Sequence, residues 1–343
     1  MAEHVTILGD GAMATVCSII LTQGGHGVTI WGALEQNIER LQQNREQPRL
    51  LPGARIPPTV QITASDHECF HDTTMILSAI PTQYMRSVWT RLKPRVPKDV
   101  PIVSVSKGIE NDTLLRPTQI IADILGWADA KNPLPQSTLP LAALSGPNVA
   151  AELAKYLPAT AVVASGDEAT ARRVQAAFAT QWFRVYTNPD VIGVELAGAT
   201  KNVIAIAAGM LDGLAAGNNV KAALVTRGLV EITRLGVAMG AQESTFSGLA
   251  GLGDLMTTCV SPEGRNRTVG EQIGKGKKLA DIMAKMDSVA EGVPTTKAVV
   301  ELARRHKVNM PITQAVYSIL FEGLDCIHAL TDLMTRDPKP EAK

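Results

Sequence analysis

Short apolar runs rich in β-branched residues recur through the first half of the chain, as they do in strands buried inside a sheet. They predict seven strands, over residues 5–8, 28–31, 60–63, 74–78, 102–105, 141–144 and 160–164. Segments with helical periodicity, such as 36–43 and 85–92, lie between several of these runs. The alternation predicts an α/β fold built on a doubly wound parallel sheet with right-handed crossovers.

The strand pattern stops near Pro189, and the rest of the chain shows helical periodicity alone. It predicts helices over residues 191–214, 221–239, 268–274, 279–286, 296–306 and 312–321. Clusters of Pro, Gly and polar residues predict loops over 48–58 and 132–140, and three glycines predict another at 248–253. We therefore expect an α/β domain over 1–189, an all-helical domain over 190–335 and a disordered tail over 336–343.

Composition narrows the class of protein. The chain has 343 residues, and its 33 Lys and Arg balance its 33 Asp and Glu, which gives a formal net charge of zero. This balance argues against a nucleic acid or an anionic membrane as a partner. With 45% hydrophobic and 19% charged residues the chain is typical of a globular protein, and with 4% aromatics its core must be aliphatic.

The four cysteines, Cys17, Cys69, Cys259 and Cys326, form no CxxC pair and have no metal-ligand spacing with histidine. They predict reduced thiols in a cytoplasmic protein without a metal site. No secretory signal precedes the first strand, and the apolar run 203–211 is too short to span a bilayer.

A glycine-rich turn follows the first predicted strand. Gly9, Gly11 and Ala14 form a G-x-G-x-x-A pattern directly before a predicted helix. The first glycine allows the tight turn, the second lets a pyrophosphate approach, and the helix start offers free N–H groups to it. The acidic residue that often selects NAD is missing after the second strand, where Gly32 and Ala33 stand, and no arginine stands there to bind a 2′-phosphate. The choice between NAD and NADP therefore stays open.

Candidate chemistry rests on lysine. Lys201 lies among small and apolar residues of the predicted helix 191–214, where loss of hydration would depress its pKa and make it a proton donor or acceptor. A lysine that reaches water from the helix edge is the alternative. Lys107 follows a strand, at the end where α/β sheets bind ligands, and Asn148 lies at a helix start, where it can cap the helix or meet a ligand.

Three further segments have the character of ligand loops. Arg265 follows Gly264 at a helix start, an arrangement that suits phosphate. Asp254 ends the glycine-rich segment 248–254, which can bring its carboxylate near a lysine. Glu291 can reach a cofactor or simply end a loop. The six histidines lie outside all of these motifs, and neither a Ser–His–Asp nor a Cys–His arrangement is suggested.

Taken in order, these motifs resemble those of the bacterial-type NAD(P)-dependent glycerol-3-phosphate dehydrogenases. The similar segments are residues 9–14, 51–53, 79–81, 106–110, 146–152, 196–202, 248–254, 264–267, 291–292 and 310–312, which span nearly the whole chain. The resemblance implies a Rossmann-type dinucleotide-binding domain followed by a helical substrate domain, in a homodimer. It implies NAD or NADP as cofactor and reversible reduction of dihydroxyacetone phosphate to sn-glycerol 3-phosphate, which supplies glycerophospholipid synthesis.

The same resemblance assigns roles to residues. Lys201 matches the proton-transferring lysine and Lys107 a second active-site lysine, while Asp254 would orient Lys201. The positions implied to contact substrate are Lys107, Gly146, Asn148, Lys201, Asp254, Gly264, Arg265 and Asn266. Those implied to contact the cofactor are Gly9, Gly11, Ala12, Met13, Ala14, Lys107, Ala150, Arg265, Val289 and Glu291.

Five residues depart from the family pattern. Met13 replaces an aromatic residue, Ala14 a glycine, Ala33 an arginine or histidine, and Asn148 and Gly264 each a serine. A related two-domain dehydrogenase acting on a 3-hydroxy acid or a ketopantoate-like acid is the first rival. Such a substrate needs a carboxylate clamp, whereas Arg265 at a helix start suits phosphate. A non-catalytic dinucleotide-binding sensor is the second rival, and the presence of Lys201 and Asp254 argues against it.

Overall fold

The computed structural model describes residues 2–127, 139–286, 289–338 and 340–341. Within them the strands are β1 His4–Leu8, β2 Gly27–Trp31, β3 Glu46–Gln47, β4 Leu51–Arg55, β5 Gln61–Thr63, β6 Met75–Ser78, β7 Ile102–Ser104, β8 Leu141–Ser145, β9 Ala159–Ala164 and β10 Phe183–Asn188. The α-helices of the same half are α1 Ala12–Gln23, α2 Glu35–Asn44, α3 Thr82–Leu92, α4 Pro117–Leu125, α5 Ala150–Leu153 and α6 Glu168–Phe178.

The remaining described helices follow β10 without a further strand. They are α7 Val191–Gly213, α8 Asn218–Ala238, α9 Glu243–Phe246, α10 Asp254–Val260, α11 Arg265–Gly274, α12 Leu279–Met283, α13 Gly292–Arg305, α14 Pro311–Tyr317 and α15 Cys326–Met334. The fold is therefore a Rossmann-type α/β sheet followed by an all-helical part, as predicted.

Eight of the described strands form one sheet in the order β10-β9-β8-β7-β6-β1-β2-β5. The seven predicted strands are all present, each to within one residue at either end. The predicted parallel sheet is present with one exception: β9 runs antiparallel to β8 and carries β10 with it. The unpredicted β10 is an edge strand whose Phe183 and Val185 are buried while Arg184 and Tyr186 are exposed, so its signal is alternation rather than a continuous apolar run.

The predicted loop over 48–58 contains a strand. β4 pairs antiparallel with the short β3 in a two-stranded ribbon outside the main sheet. Only Leu51 and Ala54 of β4 are buried, so the segment lacks the apolar run by which the other strands were predicted. The loop predicted over 132–140 lies mostly outside the described residues. Residues 339, 342 and 343 of the tail also lie outside them, and the disorder of the tail stays a prediction.

Helix α7 forms the centre of the helical part. By length and composition it could cross a membrane, but 94% of its most apolar stretch is buried inside the protein. It packs backbone to backbone against α11. A Cβ on Gly209 would come within 1.9 Å of the Arg267 carbonyl oxygen, and one on Gly270 equally close to the Ile206 carbonyl oxygen. This close contact fixes the start of α11 relative to Lys201.

A buried ion pair joins the α/β part to α7. Glu195 of α7 accepts hydrogen bonds from the guanidinium of Arg116 and from the backbone N–H and hydroxyl of Thr118, at 2.8 and 2.7 Å. Arg116 and Glu195 are each about 95% buried. Because both charges are paired and hydrogen-bonded, the contact holds the first turn of α4 firmly on α7.

The glycine-rich segment predicted as a loop is helical instead. Residues Leu249–Gly253 form one π-helical turn that runs directly into α10. The glycines permit this wide turn because the chain passes close to its own backbone: a Cβ on Gly251 would lie 2.0 Å from the Phe246 carbonyl oxygen. The turn delivers Asp254 as the first residue of α10, buried and pointing toward α7.

Candidate active site

Two lysines and one carboxylate meet where the carboxyl ends of the strands face α7. Lys107 follows β7, and its Nζ lies 2.6 Å from Oδ2 of Asp254 and 3.0 Å from the Gly146 carbonyl oxygen beyond β8. Lys201, from α7, donates to the other carboxylate oxygen of Asp254 and to the hydroxyl of Thr258. The structure thus brings the three predicted catalytic residues into direct contact.

Small residues and buried hydrogen bonds fix the two lysines. A Cβ on Gly198 would lie 3.1 Å from Ser145 Oγ and 3.6 Å from Lys107 Cγ, so this glycine leaves room for the Lys107 stem. Asn202, one residue after Lys201, donates its side-chain amide to the Lys107 carbonyl oxygen at 3.1 Å. Residues of α7 therefore fix the positions of both lysines relative to each other.

The charges of the cluster are unbalanced. Lys201 is 5% exposed and Asp254 is 2% exposed, so neither charged group is solvated by bulk water. Burial lowers the pKa of Lys201 from 10.5 to about 8; Asp254 opposes the shift, and the positive charge of Lys107 adds to it. Lys201 can therefore both donate and accept a proton near neutral pH, which is the property that general acid–base chemistry needs.

The segment predicted to bind phosphate opens α11. Gly264 precedes the helix, and no side chain caps its first turn, so backbone N–H groups there remain available. Arg265 is exposed and donates from Nη1 to the Val289 carbonyl oxygen at 3.0 Å. Asn266 is buried, and its amide oxygen accepts from the Gly292 N–H at 2.9 Å. Its NH₂ group is thus the part that remains for a ligand.

Asn148 has a structural contact. Its side-chain amide donates to the Thr160 carbonyl oxygen at 3.1 Å. The expectation that it caps the next helix is wrong: α5 starts at Ala150, its N-cap is Val149, and no side chain caps it. Gly146 has a φ of +143°, and a Cβ there would lie 3.0 Å from the Thr160 carbonyl oxygen, so the turn requires glycine.

The glycine-rich turn after β1 fits a dinucleotide pyrophosphate. Gly9 has a φ of +125°, and a Cβ there would lie 2.7 Å from the Ala79 carbonyl oxygen. At Gly11 a Cβ would meet only Leu50 Cδ1, at 4.0 Å, so space is open beside the start of α1. No side chain caps α1, which leaves its first N–H groups free for an anion. Ala14 is buried against the sheet, whereas Ala12, Met13 and Ala150 are half-buried near the turn.

Glu291 joins the two parts of the chain. Its carboxylate accepts from the backbone N–H and the hydroxyl of Thr82, at 3.0 and 3.3 Å. Burial raises the pKa of Glu291, against the opposing effects of the Thr82 hydrogen bonds and of Arg265 and Lys107. The positive charges of Arg265 and Lys107 therefore lie close enough to stabilise the ionised form of this carboxylate. Val289, half-buried, lies two residues before it.

Several groups beside these residues were not predicted from the sequence. Thr258 lies one helical turn after Asp254 and contacts Lys201; it was missed because no helix was predicted over α10. Ser145 carries a buried hydroxyl without a hydrogen-bond partner among the described residues. The sequence has no arginine at the turn after β2, but the fold brings Arg91 there, where it donates from Nη1 to the Ala33 carbonyl oxygen at 3.2 Å. Those two residues are 58 positions apart, so local pattern could not reveal the contact.

Comparison with known proteins gives consistent results along the chain. The family models described as NAD-dependent glycerol-3-phosphate dehydrogenase N-terminus and C-terminus match residues 4–171 and 190–331. A glycerol-3-phosphate dehydrogenase (NAD(P)+) of Citrifermentans bemidjiense is 46% identical over 99% of both chains. A second one from Salinibacter ruber is 45% identical over 99% of this chain and 97% of its own.

Solved structures agree. The crystal structure of glycerol-3-phosphate dehydrogenase from Coxiella burnetii superimposes with a TM-score of 0.91 at 34% identity, covering 98% of this chain and 99% of its own. A ketopantoate reductase from Ralstonia eutropha has a TM-score of 0.56 at 15% identity, covering 92% of this chain and 97% of its own. That second likeness extends to the fold alone.

Proposed function

The chain belongs to the NAD-dependent glycerol-3-phosphate dehydrogenase family, and from that premise we propose that its Lys107–Lys201–Asp254 cluster is the catalytic centre. The chain is an oxidoreductase that uses NAD or NADP to interconvert dihydroxyacetone phosphate and sn-glycerol 3-phosphate. The product supplies glycerophospholipid synthesis. The observation that carries the proposal is the single buried carboxylate shared by two lysine ammonium groups, at the strand ends where such sheets bind ligands.

Lys201 is the proton donor in the direction of reduction. A bound NADH or NADPH supplies the hydride that reduces the ketone carbon of the substrate. Negative charge then develops on the carbonyl oxygen, and Lys201 donates a proton to it. In the reverse direction a neutral Lys201 takes the proton from the hydroxyl of glycerol 3-phosphate. Its pKa of about 8 makes both protonation states accessible.

Lys107 and Asp254 prepare the site for that transfer. Asp254 holds both ammonium groups in fixed directions and keeps Lys201 protonated more than burial alone would allow. Lys107 carries a second positive charge toward the same pocket and is held by the Gly146 carbonyl oxygen. Fixed charges of this kind need no reorganisation during the reaction, which is the main source of electrostatic rate enhancement.

The substrate phosphate binds at the start of α11. Arg265 supplies a planar fork, Gly264 precedes a helix start with free N–H groups, and Asn266 offers its NH₂ group. Gly146, whose carbonyl oxygen holds Lys107, and Asn148 would provide further substrate contacts. Binding the phosphate away from the reacting carbon positions that carbon, and orientation of this kind accelerates the reaction.

The turn after β1 would hold the cofactor. Gly9, Gly11, Ala12, Met13 and Ala14 would surround its pyrophosphate at the start of α1, where backbone N–H groups are free. The remaining contacts that we propose, between the nicotinamide half and the substrate, come from Lys107, Ala150, Arg265, Val289 and Glu291. Lys107 and Ala150 belong to the α/β part of the chain, and Arg265, Val289 and Glu291 to the helical part. Accordingly we place the domain boundary after residue 189, with the substrate-binding part over 190–335.

The enzyme proposal is tested by NAD(P)H oxidation. Purified protein should consume NADH or NADPH with dihydroxyacetone phosphate and leave ketopantoate unreduced. A Lys201→Met variant should bind dinucleotide yet lose turnover. Dinucleotide binding without turnover of the phosphate substrate by wild type would instead favour a sensor, and turnover of ketopantoate would favour the related dehydrogenases. Turnover by Lys201→Met at the wild-type rate would exclude Lys201 as the proton donor.

We propose that the enzyme is a homodimer in the cytoplasm. Leu252, Met256 and Val260 are 39, 47 and 61% exposed at four-residue spacing, which forms an apolar stripe that a second copy could cover. The four free cysteines suit a reducing compartment. Light scattering on a size-exclusion column should give twice the chain mass of 36.5 kDa, and Met256→Glu should shift the protein toward one chain mass.

A further inference from the structure

An arginine from α3 lies at the end of β2, where the sequence has no side chain to contact a cofactor. The guanidinium carbon of Arg91 is 5.2 Å from the centre of the Trp31 ring, and Trp31 is the last residue of β2. Its Nη1 donates to the Ala33 carbonyl oxygen at 3.2 Å, and its Nε donates to Asp66 Oδ2 at 2.7 Å. The side chain is 44% exposed, so its free edge faces solvent at this turn.

The end of the second strand is the place where Rossmann-type sheets contact the adenosine ribose. A carboxylate there hydrogen-bonds the ribose 2′-hydroxyl of NAD, and an arginine there accommodates the 2′-phosphate of NADP. In this chain the turn itself is Gly32 followed by Ala33. A Cβ on Gly32 would come within 2.5 Å of Ile38 Cδ1 and 3.1 Å of Asp10 Cβ, so a larger residue there would require the Ile38 side chain to move. Gly32 and Ala33 thus offer no charged side chain at this turn, whereas Arg91 brings a guanidinium to it from α3.

We propose that Arg91 binds the 2′-phosphate of the cofactor, so that the enzyme prefers NADPH to NADH. This inference rests on the proposed function, since it assumes that the dinucleotide lies across the turn after β1. It extends that function because the family includes enzymes described as using either cofactor, and the turn sequence alone does not distinguish them.

The guanidinium is prepared for such a ligand. Stacking on Trp31 and the bonds to Asp66 and Ala33 hold it in one orientation, so less conformational entropy is lost on binding. Asp66 contacts the Nε edge, and no partner among the described residues contacts Nη2. A phosphate can then accept from the amino groups on the open edge, in the planar geometry that arginine offers.

Asp66 is the competing charge at this site. Its carboxylate is one-fifth exposed and also accepts from the Trp31 indole N–H at 3.2 Å. Both carboxylate oxygens of Asp66 thus already accept hydrogen bonds from protein groups. Asp66 can therefore accept a hydrogen bond from a ribose hydroxyl less readily than a carboxylate without such partners. It also moderates the positive field, so we expect discrimination between cofactors to come from direct contact with Arg91 rather than from net charge.

Binding to the enzyme without substrate tests the inference. Dissociation constants for NADPH, NADH, 2′,5′-ADP and 5′-ADP are measured by calorimetry on wild type, Arg91→Gln and Arg95→Gln. Arg95 is an exposed arginine on the 3₁₀ turn directly after α3, so its removal changes the charge equally without touching the turn after β2. A charge-assisted contact with phosphate predicts about tenfold or greater weakening of NADPH and 2′,5′-ADP by Arg91→Gln. NADH and 5′-ADP should change little, and Arg95→Gln should behave like wild type.

Other outcomes overturn the inference in recognisable ways. Wild type that binds NADH as tightly as NADPH refutes the preference, and equal weakening of both cofactors by Arg91→Gln makes Arg91 a structural residue. If Arg95→Gln weakens NADPH as much as Arg91→Gln does, the effect is general charge. In each case, continued reduction of dihydroxyacetone phosphate with NADH would leave the proposed function intact. Failure to bind any dinucleotide would refute both.

Discussion

Replacement of Asp254 by asparagine tests the electrostatic account of the site most directly. Asparagine keeps the shape and one hydrogen-bond acceptor but removes the negative charge shared by Lys107 and Lys201. That charge opposes the loss of a proton from Lys201, whereas burial and Lys107 promote it. The pKa of Lys201, about 8 in the wild type, should therefore fall in the variant.

The size of the fall follows from Coulomb's law. Two unit charges about 4 Å apart interact by about 4 kcal/mol at an effective dielectric constant near 20, which corresponds to about three pKa units. Relaxation and entry of water reduce this, so we expect the pKa to fall by at least about one unit. At pH 7 the protonated fraction of Lys201 would then drop from about nine-tenths to about one-half or less.

The assay is the pH dependence of kcat/KM in both reaction directions. Reduction needs protonated Lys201, so its wild-type rate should fall as pH rises through about 8, and oxidation should rise through the same range. In Asp254→Asn both limbs should move to lower pH by at least about one unit. Glu301→Gln is the control, because it removes the same charge from a carboxylate whose ion-pair partners among the described residues are the exposed Arg304 and Arg305 of α13.

The result that would refute this reasoning is specific. If Asp254→Asn lowers the rate but leaves the pH limbs where they are, Lys201 does not control the observed titration. If the limbs move to higher pH, the carboxylate acts on some other group. A shift of equal size in Glu301→Gln would show that the effect is one of net charge and not of contact within the cluster.

Three further predictions test other parts of the structure. Lys201→Met should lower kcat by about 100-fold or more while leaving the NADPH dissociation constant unchanged. The difference in free energy of unfolding between wild type and this variant should rise by about 3 kcal/mol from pH 8 to pH 10.5, because Lys201 still binds a proton in the unfolded chain over that range but not in the folded one. A difference that does not change with pH would contradict the lowered pKa of Lys201. Arg265→Ala should raise KM for dihydroxyacetone phosphate by about tenfold or more, with Arg304→Ala as the matched surface control, and an unchanged KM would count against phosphate binding. Arg116→Met should cost about 3–5 kcal/mol in urea unfolding, because Glu195 would keep a buried unpaired charge, and a loss below about 1 kcal/mol would mean that water reaches it.

The central strands could be predicted because most of their residues are apolar or β-branched and are buried on both faces of the sheet. β6 is buried at all four of its residues, and β1 at four of its five. β10 escaped prediction because an edge strand buries alternate residues, and β4 because its pairing lies outside the main sheet. The direction of β9 could not be predicted, since apolar content does not encode whether a strand runs with or against its neighbour.

The candidate site could be predicted in its parts but not in its connections. Lys201 was recognisable from the small apolar residues around it in α7, and Asp254 from the glycines before it. The two carboxylate oxygens of Asp254 accept hydrogen bonds from two different lysines, and this arrangement depends on the π-helical turn before Asp254. The glycines permit that turn but do not specify it. The placement of Arg91 could not be predicted, because α3 brings it to the end of β2 from a distant part of the chain.

The composition of the cluster explains why a carboxylate belongs in a site that must stabilise negative charge. Two ammonium groups and one carboxylate sum to 2 − 1 = +1 when all are ionised. Without Asp254 the two neighbouring positive charges would repel, and Lys201 would lose the proton it must donate. With Asp254 the cluster is stable, yet it keeps one uncompensated positive charge in a poorly hydrated pocket. That charge is satisfied when negative charge develops on the substrate oxygen, so the site stabilises the transition state more than the ground state.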